Sequence, residues 1–504
     1  MLIKTILKNP DIKQDIKYIS ILAAIALCVG IYLIATTVVI AKDGVTFIEY
    51  AGKLEISPKQ TMKTEDQHPG YPAIISGVYR GVFSNVENGS ISGRIYAAQA
   101  GALFYRLCAV FIIYLIARQI VGAKSGFVAV LILILLPKPA EYGSDALSDW
   151  PHMFFLATGM LLLIYGAIHS KWWMLSLAGL VGGAGYLIRP ECAQVVIYGF
   201  LWLILQFFSR KRSISRPKIV PAIVFLLAGF AITAGPYMQL KGALFPKKYV
   251  GEFSSYTQIQ TTESTQKHVT EILYTSEIIP SNTLAAIVKI FENIGDTLMW
   301  FFLLPLVIGL YLNFKGGNYF NPKKFFILAL IALNLPIMIW LYCNYGYMSG
   351  RHTLPLAVFT IFYIPKGIQT LASGLNVKFS RGEKHTHRWF AILMIIGIAI
   401  CAPKLIKPLH SDKLIYRQAA QWLSENTEIS AVVAVPDSRI GFYAERESIN
   451  VTDGNIPGTV EYIVELFSDS EHEEQLNDQH FEKIAFSENG DENNKYVIYK
   501  RISR

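Results

Sequence analysis

Long apolar runs, separated by short polar segments, recur along most of the 504-residue chain. A run of about 18 or more apolar residues is long enough for a helix to cross a hydrocarbon core of roughly 30 Å. We predict about eleven membrane-spanning helices, over residues 18–41, 95–120, 124–138, 151–169, 172–188, 191–208, 219–238, 296–314, 325–342, 353–371 and 389–408. The pattern therefore predicts an α-helical polytopic membrane protein.

The last part of the chain has a different pattern, typical of a soluble domain. Residues 414–423 have helical periodicity that ends near Asn426, residues 431–435 form a buried-strand run, and residues 484–499 suggest a strand, a turn and a second strand. We therefore predict a membrane domain over 1–410 and a small α/β domain over 411–504. The small domain lacks motifs for phosphate, metal or nucleophile chemistry, which favours a docking or lid role.

Two long polar segments, 42–93 and 239–295, interrupt the apolar runs and are predicted to be external loops. Within the first loop, Val45, Ile48, Ala51 and Leu54 recur at helical spacing, which predicts a helix lying on the membrane surface. A second surface helix is predicted from Pro72, a residue suited to a first helical turn.

The chain is 52% hydrophobic and only 16% charged, with a formal net charge of +9. Its basic residues are spaced between the apolar runs, in loops that alternate in sidedness, so the excess indicates topology and not nucleic-acid binding. We expect a multi-pass protein of the inner (plasma) membrane, with a cytoplasmic N-terminus and an extracytoplasmic C-terminal domain. All five cysteines lie in or beside apolar runs, and we predict no disulfide.

Candidate chemistry in the first loop comes from Asp43 and His68. A carboxylate where the chain leaves the bilayer can act as a general base, although Asp43 could instead cap the surface helix. His68, in the segment His68-Pro-Gly-Tyr-Pro72, could orient a substrate or bind a metal, or be an exposed loop residue.

A second group of ionisable residues lies between the third and fourth predicted spans, within residues 141–152. Ser148 or Asp149 could simply cap the following helix, which carries Pro151 in its first turn. Ionisable groups at the membrane edge are nevertheless costly unless they meet partners, so Asp145, Asp149 and His152 are candidates for a functional site.

Fixed positive charge is supplied by Arg189, in Arg189-Pro-Glu191, and by Arg351, followed by His352. Arginine binds phosphate through two donors, so these residues could hold an anionic headgroup; either could instead reach the interface or pair with an acid such as Glu191. Lys247, Lys248 and His268 are further candidates for the same task.

The ordered set of Asp43, His68-Pro-Gly-Tyr-Pro72, Ser148-Asp149, Arg189-Pro-Glu191 and Arg351 resembles the GT-C superfamily of membrane glycosyltransferases. The similar enzymes are family-39-like bacterial proteins, akin to protein O-mannosyltransferases and lipid A aminoarabinose transferases. The resemblance implies inverting transfer of a sugar from a polyprenyl-phosphate donor to a lipid, glycan or protein acceptor on the extracytoplasmic face.

Residue roles follow from the same resemblance. Asp43 would be the base or acceptor-orienting carboxylate and Asp149 a second catalytic acid, while Arg189 and Arg351 would hold the donor phosphate. The residues expected to orient substrate are His68, Tyr71, Glu49, Glu191 and His352. Many relatives have an Asp-Glu pair where this chain has Asp43-Gly44, which leaves the acceptor class open. A divalent metal ion is left open as a cofactor.

Two other classes of protein compete with this interpretation. A transporter or flippase of a lipid-linked substrate would place polar groups near the bilayer midplane, often in two repeated halves, which this sequence does not show. A non-catalytic membrane scaffold would leave Asp43, Arg189 and Arg351 replaceable.

Overall fold

The computed structural model describes residues 10–84, 91–209, 214–242, 283–317, 319–379, 385–450, 456–466, 481–488 and 495–502. Lys247, Lys248 and His268 lie outside these residues, as does most of the predicted loop 239–295.

Helices occur at all eleven predicted positions. They are α1 (Pro10–Ala35), α5 (Ile91–Val121), α6 (Ala123–Leu135), α8 (Asp149–Ile168), α9 (Trp172–Tyr186), α10 (Gln194–Phe208), α11 (Arg216–Lys241), α13 (Leu303–Phe314), α14 (Pro322–Tyr345), α15 and α16 (Leu354–Thr360 and Ile364–Phe379, joined by a 3₁₀ turn) and α17 (Thr386–Leu405). Among the described residues, eight stretches are long and apolar enough to span a bilayer, the exceptions being α6, α9 and α13. The chain is a multi-pass membrane protein.

The predicted start of the span over 296–314 is wrong. Helix α12 (Thr283–Thr297) ends there, and α13 begins only at Leu303. Met299 and Trp300 between them have left-handed backbone conformations, with φ of 55° and 58°. The Trp300 ring packs directly on Gly295, so the break is a tightly packed turn that an apolar run does not reveal.

The first predicted external loop folds as three short helices, α2 (Lys42–Ile56), α3 (Pro58–Thr64) and α4 (Gly70–Val78), the last of which continues into one π-helical turn. A further short helix, α7 (Pro137–Tyr142), lies in the connection between α6 and α8. The apolar stripe of α2 meets protein: Val45, Ile48 and Ala51 are buried in a cluster with Tyr71 and Phe442. This cluster fixes α2 against the rest of the chain by burial of apolar area.

The C-terminal region confirms the predicted small α/β domain. It contains α18 (Leu414–Asn426), β1 (Val432–Val435), α19 (Ser438–Ala444), β2 (Glu447–Asn450), β3 (Tyr462–Leu466), β4 (Phe481–Glu488) and β5 (Lys495–Arg501). The sheet order is β2-β1-β3-β5-β4, with β1 parallel to both neighbours and β5 antiparallel to β3 and β4. Phe442 of α19 belongs to the same buried cluster as α2, so this domain packs directly on the first-loop helices.

Candidate active site

A cavity of about 420 Å³ opens where the ends of several helices meet. Its wall combines residues that are far apart in sequence: Asp43, Thr46, Phe47, Glu65, Asp66, Gln67, His68, Ser148, Ile188, Arg189, Pro190, Glu191 and Arg351. The fold thus brings the first loop, the start of α8, the segment before α10 and the segment before α15 to one place.

Asp43 lies in the first turn of α2, where a negative charge interacts favourably with the helix dipole. The N-cap of this helix is Ala41, and no side chain caps it, so the capping alternative for Asp43 is not what the structure shows. The Asp43 side chain is 49% exposed and its Oδ2 accepts a hydrogen bond from Nη1 of Arg351 at 2.5 Å. Asp43 therefore faces the cavity with one strong partner and open space beside it.

Asp149 is the first residue of α8, and its side chain is only 2% exposed. Its Oδ1 accepts from Nη1 of Arg189 at 2.7 Å, and its Oδ2 lies 2.9 Å from both Nε and Nη2 of Arg351. A buried carboxylate is tolerated only when charges and hydrogen bonds compensate it, and here two guanidinium groups do so. Asp149 therefore fixes both arginines in place.

Arg189 also lies 3.3 Å from Oε1 of Glu191, which completes an alternating row of charges: Asp43, Arg351, Asp149, Arg189 and Glu191. The predicted pairing of Arg189 with Glu191 occurs, but the contact with Asp149 is shorter and more buried. The side chains of Arg189 and Arg351 are each 19% exposed, and both residues line the cavity.

His68 forms a different part of the wall. The turn that follows His68 is held against the segment before Arg189, because the Gly70 N–H donates to the Leu187 carbonyl at 2.7 Å. Only glycine fits this close approach, since a Cβ on residue 70 would collide with the Leu187 backbone. The His68 ring packs against Tyr186 and Tyr237, with centroids 5.0 and 5.3 Å away. Burial lowers the pKa of His68 to about 4, so the ring is neutral near pH 7.

Both ring nitrogens of His68 are buried without a side-chain hydrogen-bond partner among the described residues, while the Tyr186 backbone acts on the ring as a hydrogen-bonding group. Such groups are costly unless a partner is found. A neutral imidazole beside the cavity can donate from one nitrogen and accept at the other, which suits a hydroxyl group of a ligand. The exposed-loop alternative for His68 does not hold, since the residue is 6% exposed.

Three predicted substrate-orienting residues do not line the cavity. Tyr71 is fully buried and donates its hydroxyl to the Ala98 carbonyl at 2.9 Å, so its observed role is packing. Glu49 lies on another face of α2, beside a groove shared with Phe442. His352 contacts the Ser349 carbonyl at 3.2 Å. The sequence pattern places these residues near the site but does not show which way their side chains point.

The sequence motifs do not reveal Asp66, which lines the cavity. Asp145, a candidate from the acidic stretch before Asp149, is buried and does not line the cavity. His152, from the same stretch, is 4% exposed and lies in α8 behind the cavity wall.

The residues present do not fit a divalent cation between the two predicted catalytic acids. Arg351 occupies the space between Asp43 and Asp149, with its guanidinium bonded to both. Within the part of the chain that the structure describes, no three His, Cys, Asp or Glu side chains are close enough to hold a metal ion. The carboxylates here are partners of arginine.

Comparison with known proteins gives the fold a family context. Residues 90–234 match the family model of dolichyl-phosphate-mannose-protein mannosyltransferases. No curated protein sequence matches the chain. ArnT from Cupriavidus metallidurans, solved bound to undecaprenyl phosphate, is similar in structure, with a TM-score of 0.60, 11% identity, and coverage of 97% of this chain and 98% of ArnT.

A second solved structure has the same architecture. The oligosaccharyltransferase AglB from Archaeoglobus fulgidus, in complex with an inhibitory peptide and a dolichol-phosphate, has a TM-score of 0.56 at 11% identity, covering 89% of this chain and 69% of AglB. The chain has the same fold as these two proteins, which is the GT-C fold. In this GT-C fold, the charged row described above lies at the junction between the first-loop helices and the membrane helices.

Proposed function

We propose that this protein is an integral-membrane glycosyltransferase that moves a sugar from a polyprenyl-phosphate donor to an acceptor. The observation that carries the proposal is the row Asp43, Arg351, Asp149 and Arg189, which places two fixed guanidinium groups beside one exposed carboxylate. Support also comes from the mannosyltransferase family model and from the lipid phosphates bound in the ArnT and AglB structures.

Arg351 and Arg189 would bind the phosphate of the donor, which leaves as an anion. Paired arginines stabilise the developing negative charge on the phosphate oxygens, and they do so best when they are fixed beforehand. Asp149 supplies that fixation from beneath, with almost no exposure of its own. The role proposed for Asp149 is therefore positioning of the two arginines, and not that of a second acid in the reaction.

Asp43 would be the general base. Of the two carboxylates on Arg351, Asp149 is buried and Asp43 is half exposed, so a phosphate entering the cavity displaces Asp43 more easily. Donor binding would then free the Asp43 carboxylate in the same step that fills the phosphate site. The acceptor hydroxyl gives its proton to Asp43, its oxygen bonds to the anomeric carbon, and the bond from that carbon to the phosphate oxygen breaks with inversion, its electron pair leaving with the polyprenyl phosphate.

The acceptor is proposed to be a lipid, glycan or protein hydroxyl, reached from the extracytoplasmic side. His68 faces the cavity across from the charged row and could orient a sugar or acceptor hydroxyl. The polar residues of the site lie at helix ends: Asp149 begins α8 and Arg351 precedes α15. This arrangement suits a membrane-edge active site better than the midplane site of a transporter.

The proposal is tested by complementing a deletion strain with wild-type protein or the Asp43→Asn variant, and by mass spectrometry of envelope glycans and glycolipids. We expect the variant to lose a glycan product that wild type restores, since removal of a general base reduces transfer by about 10²–10⁴-fold. Binding of undecaprenyl phosphate to the purified variant should be retained, because the neutral amide side chain no longer competes with the phosphate for Arg351.

Asp412→Asn is the matched control, because this carboxylate is exposed, lies near Lys413, and does not line the cavity. Its glycan profile should equal that of wild type. A normal product from folded Asp43→Asn protein would overturn the base assignment, and a strain whose envelope glycans and glycolipids do not depend on the protein would overturn the proposed function.

A further inference from the structure

The segment that leads into Asp43 is held by groups that come from elsewhere in the chain. Residues 37–41 connect α1 with α2 and form neither helix nor strand. The Val38 amide donates to the Leu409 carbonyl at 3.1 Å, the Ile40 amide to Tyr443 Oη at 2.9 Å, and the Ala41 amide to both carboxylate oxygens of Asp145 at 3.1 Å. Buried amides of an irregular segment need such partners, and two of these three partners lie beyond residue 408.

Asp145 joins three parts of the molecule at one buried carboxylate. Besides the Ala41 amide, it accepts from the Ala146 amide at 2.7 Å and from Nε2 of His410 at 2.8 Å. His410 belongs to the connection between α17 and the C-terminal domain. Burial alone would lower the pKa of His410, but the hydrogen bond to Asp145 and the charge of that carboxylate raise it above its ordinary value.

Packing leaves the start of α2 little freedom to move away from this junction. A Cβ built on Gly44 would lie 2.7 Å from Ala146 Cβ and 2.9 Å from the Ala146 carbonyl oxygen. On the other side, Phe442 of α19 is buried with Val45 and Ile48 of α2. The amide contacts hold the segment directly before α2, and the apolar contacts hold the first turns of α2 itself. Asp43 lies between these two sets of contacts.

We propose that the C-terminal domain and the connection that leads into it position Asp43. Tyr443 of the domain holds the Ile40 amide, and His410 of the connection holds the Asp145 carboxylate that binds the Ala41 amide. The functional half of this inference rests on the proposed role of Asp43 as the base. The domain is then an integral part of the catalytic unit, and not a lid that could be removed without affecting the chemistry.

The test uses the full-length protein with Tyr443→Phe, His410→Ala and His410→Gln, and measures hydrogen exchange of the amides in 38–44 together with transfer kinetics. Tyr443→Phe removes the acceptor for the Ile40 amide only, while His410→Gln keeps a donor toward Asp145. We expect faster exchange confined to 38–44 in Tyr443→Phe and His410→Ala, and a fall in kcat of about tenfold with donor KM within twofold of wild type. His410→Gln should have exchange rates and a kcat close to those of wild type, because glutamine can still donate a hydrogen bond to Asp145.

Tyr416→Phe is the control, since the Tyr416 ring contacts Lys413 and Arg439 within the C-terminal region and none of the amides at 38–41. Unchanged hydrogen exchange in both Tyr443→Phe and His410→Ala would show that these two residues do not hold segment 38–41. Faster exchange with unchanged kcat would overturn the positioning role. If Asp43→Asn is fully active, the base assignment has failed, and the exchange measurement still decides whether the C-terminal domain holds this segment.

Discussion

Asp145 and Asp149 stand four residues apart in one loop, and both side chains are almost fully buried, yet their surroundings are opposite in kind. Asp149 is compensated by two arginines that face the cavity. Asp145 is compensated by two backbone amides and a histidine, none of which belongs to a residue that lines the cavity. The comparison shows how one short loop serves both purposes: the charged partners of Asp149 are available for a ligand, whereas the partners of Asp145 hold the chain that presents Asp43.

The largest effect is expected for Asp149→Asn. Breaking a buried ion pair by removing one partner costs about 3–5 kcal/mol, since the other charges stay buried. We expect binding of undecaprenyl phosphate to weaken by about 100-fold, because Arg189 and Arg351 lose their shared anchor, and the melting temperature to fall. Binding by native mass spectrometry and melting in matched detergent check both. Retained binding with a lowered melting temperature would show that Asp149 serves stability only.

A smaller and differently distributed effect is expected for Asp145→Asn. An asparagine can still accept from the Ala41 amide but loses the charge that pairs with His410, so we expect kcat to fall by about tenfold while undecaprenyl-phosphate binding stays within twofold. Steady-state kinetics and direct binding separate the two quantities. Equal losses of binding in Asp145→Asn and Asp149→Asn would abolish the distinction between the two carboxylates.

Gly44→Ala tests the packing that links the two regions. The added methyl group meets Ala146 at less than van der Waals distance, and overpacking of this kind costs about 1–3 kcal/mol. We expect a lower melting temperature and reduced transfer, since α2 must shift and carries Asp43 with it. Gly77→Ala is the control: a Cβ there meets nothing within 4 Å, and alanine in a helix stabilises by about 0.5–1 kcal/mol. Equal melting temperatures for the two variants would contradict the close contact.

The smallest effect is expected for the pH dependence of stability, through the buried neutral ring of His68. Because burial lowers the pKa of His68 to about 4, an unfolded chain takes up a proton at this residue at higher pH than the folded protein does. The stability contributed by the neutral ring is therefore fully present above about pH 6.5 and decreases as the pH falls toward 4. We expect the melting temperature of wild type to drop more between pH 7.5 and 5 than that of His68→Gln. Parallel drops would mean that His68 titrates normally.

Sequence patterns anticipated the positions of the membrane helices, the two first-loop helices and the small α/β domain, because burial periodicity and turn residues are local properties. The predicted contact of the first of these helices with the membrane surface is wrong, because its apolar stripe packs against Tyr71 and Phe442. The patterns also anticipated which residues meet at the site: Asp43, His68, Asp149, Arg189, Glu191 and Arg351. They do not separate Tyr71 from His68 of the same motif: His68 lines the cavity, whereas the Tyr71 ring is buried in the core. A motif gives the place along the chain, and side-chain direction depends on packing partners that are distant in sequence.

The amino-acid sequence by itself determined that this chain is a multi-pass membrane protein with a small C-terminal α/β region, since long apolar runs have few other physical solutions. Only the tertiary structure decided which partner each charged residue of the site has. Asp149, predicted as a second catalytic acid, is compensated by two arginines. The C-terminal domain supplies Tyr443 to the segment before Asp43, and the connection into that domain supplies His410 to Asp145. The physical reason is that a charge or a buried amide takes its character from its nearest partners, and in this fold several of those partners, such as Arg351 for Asp149 and Tyr443 for Ile40, are distant in sequence.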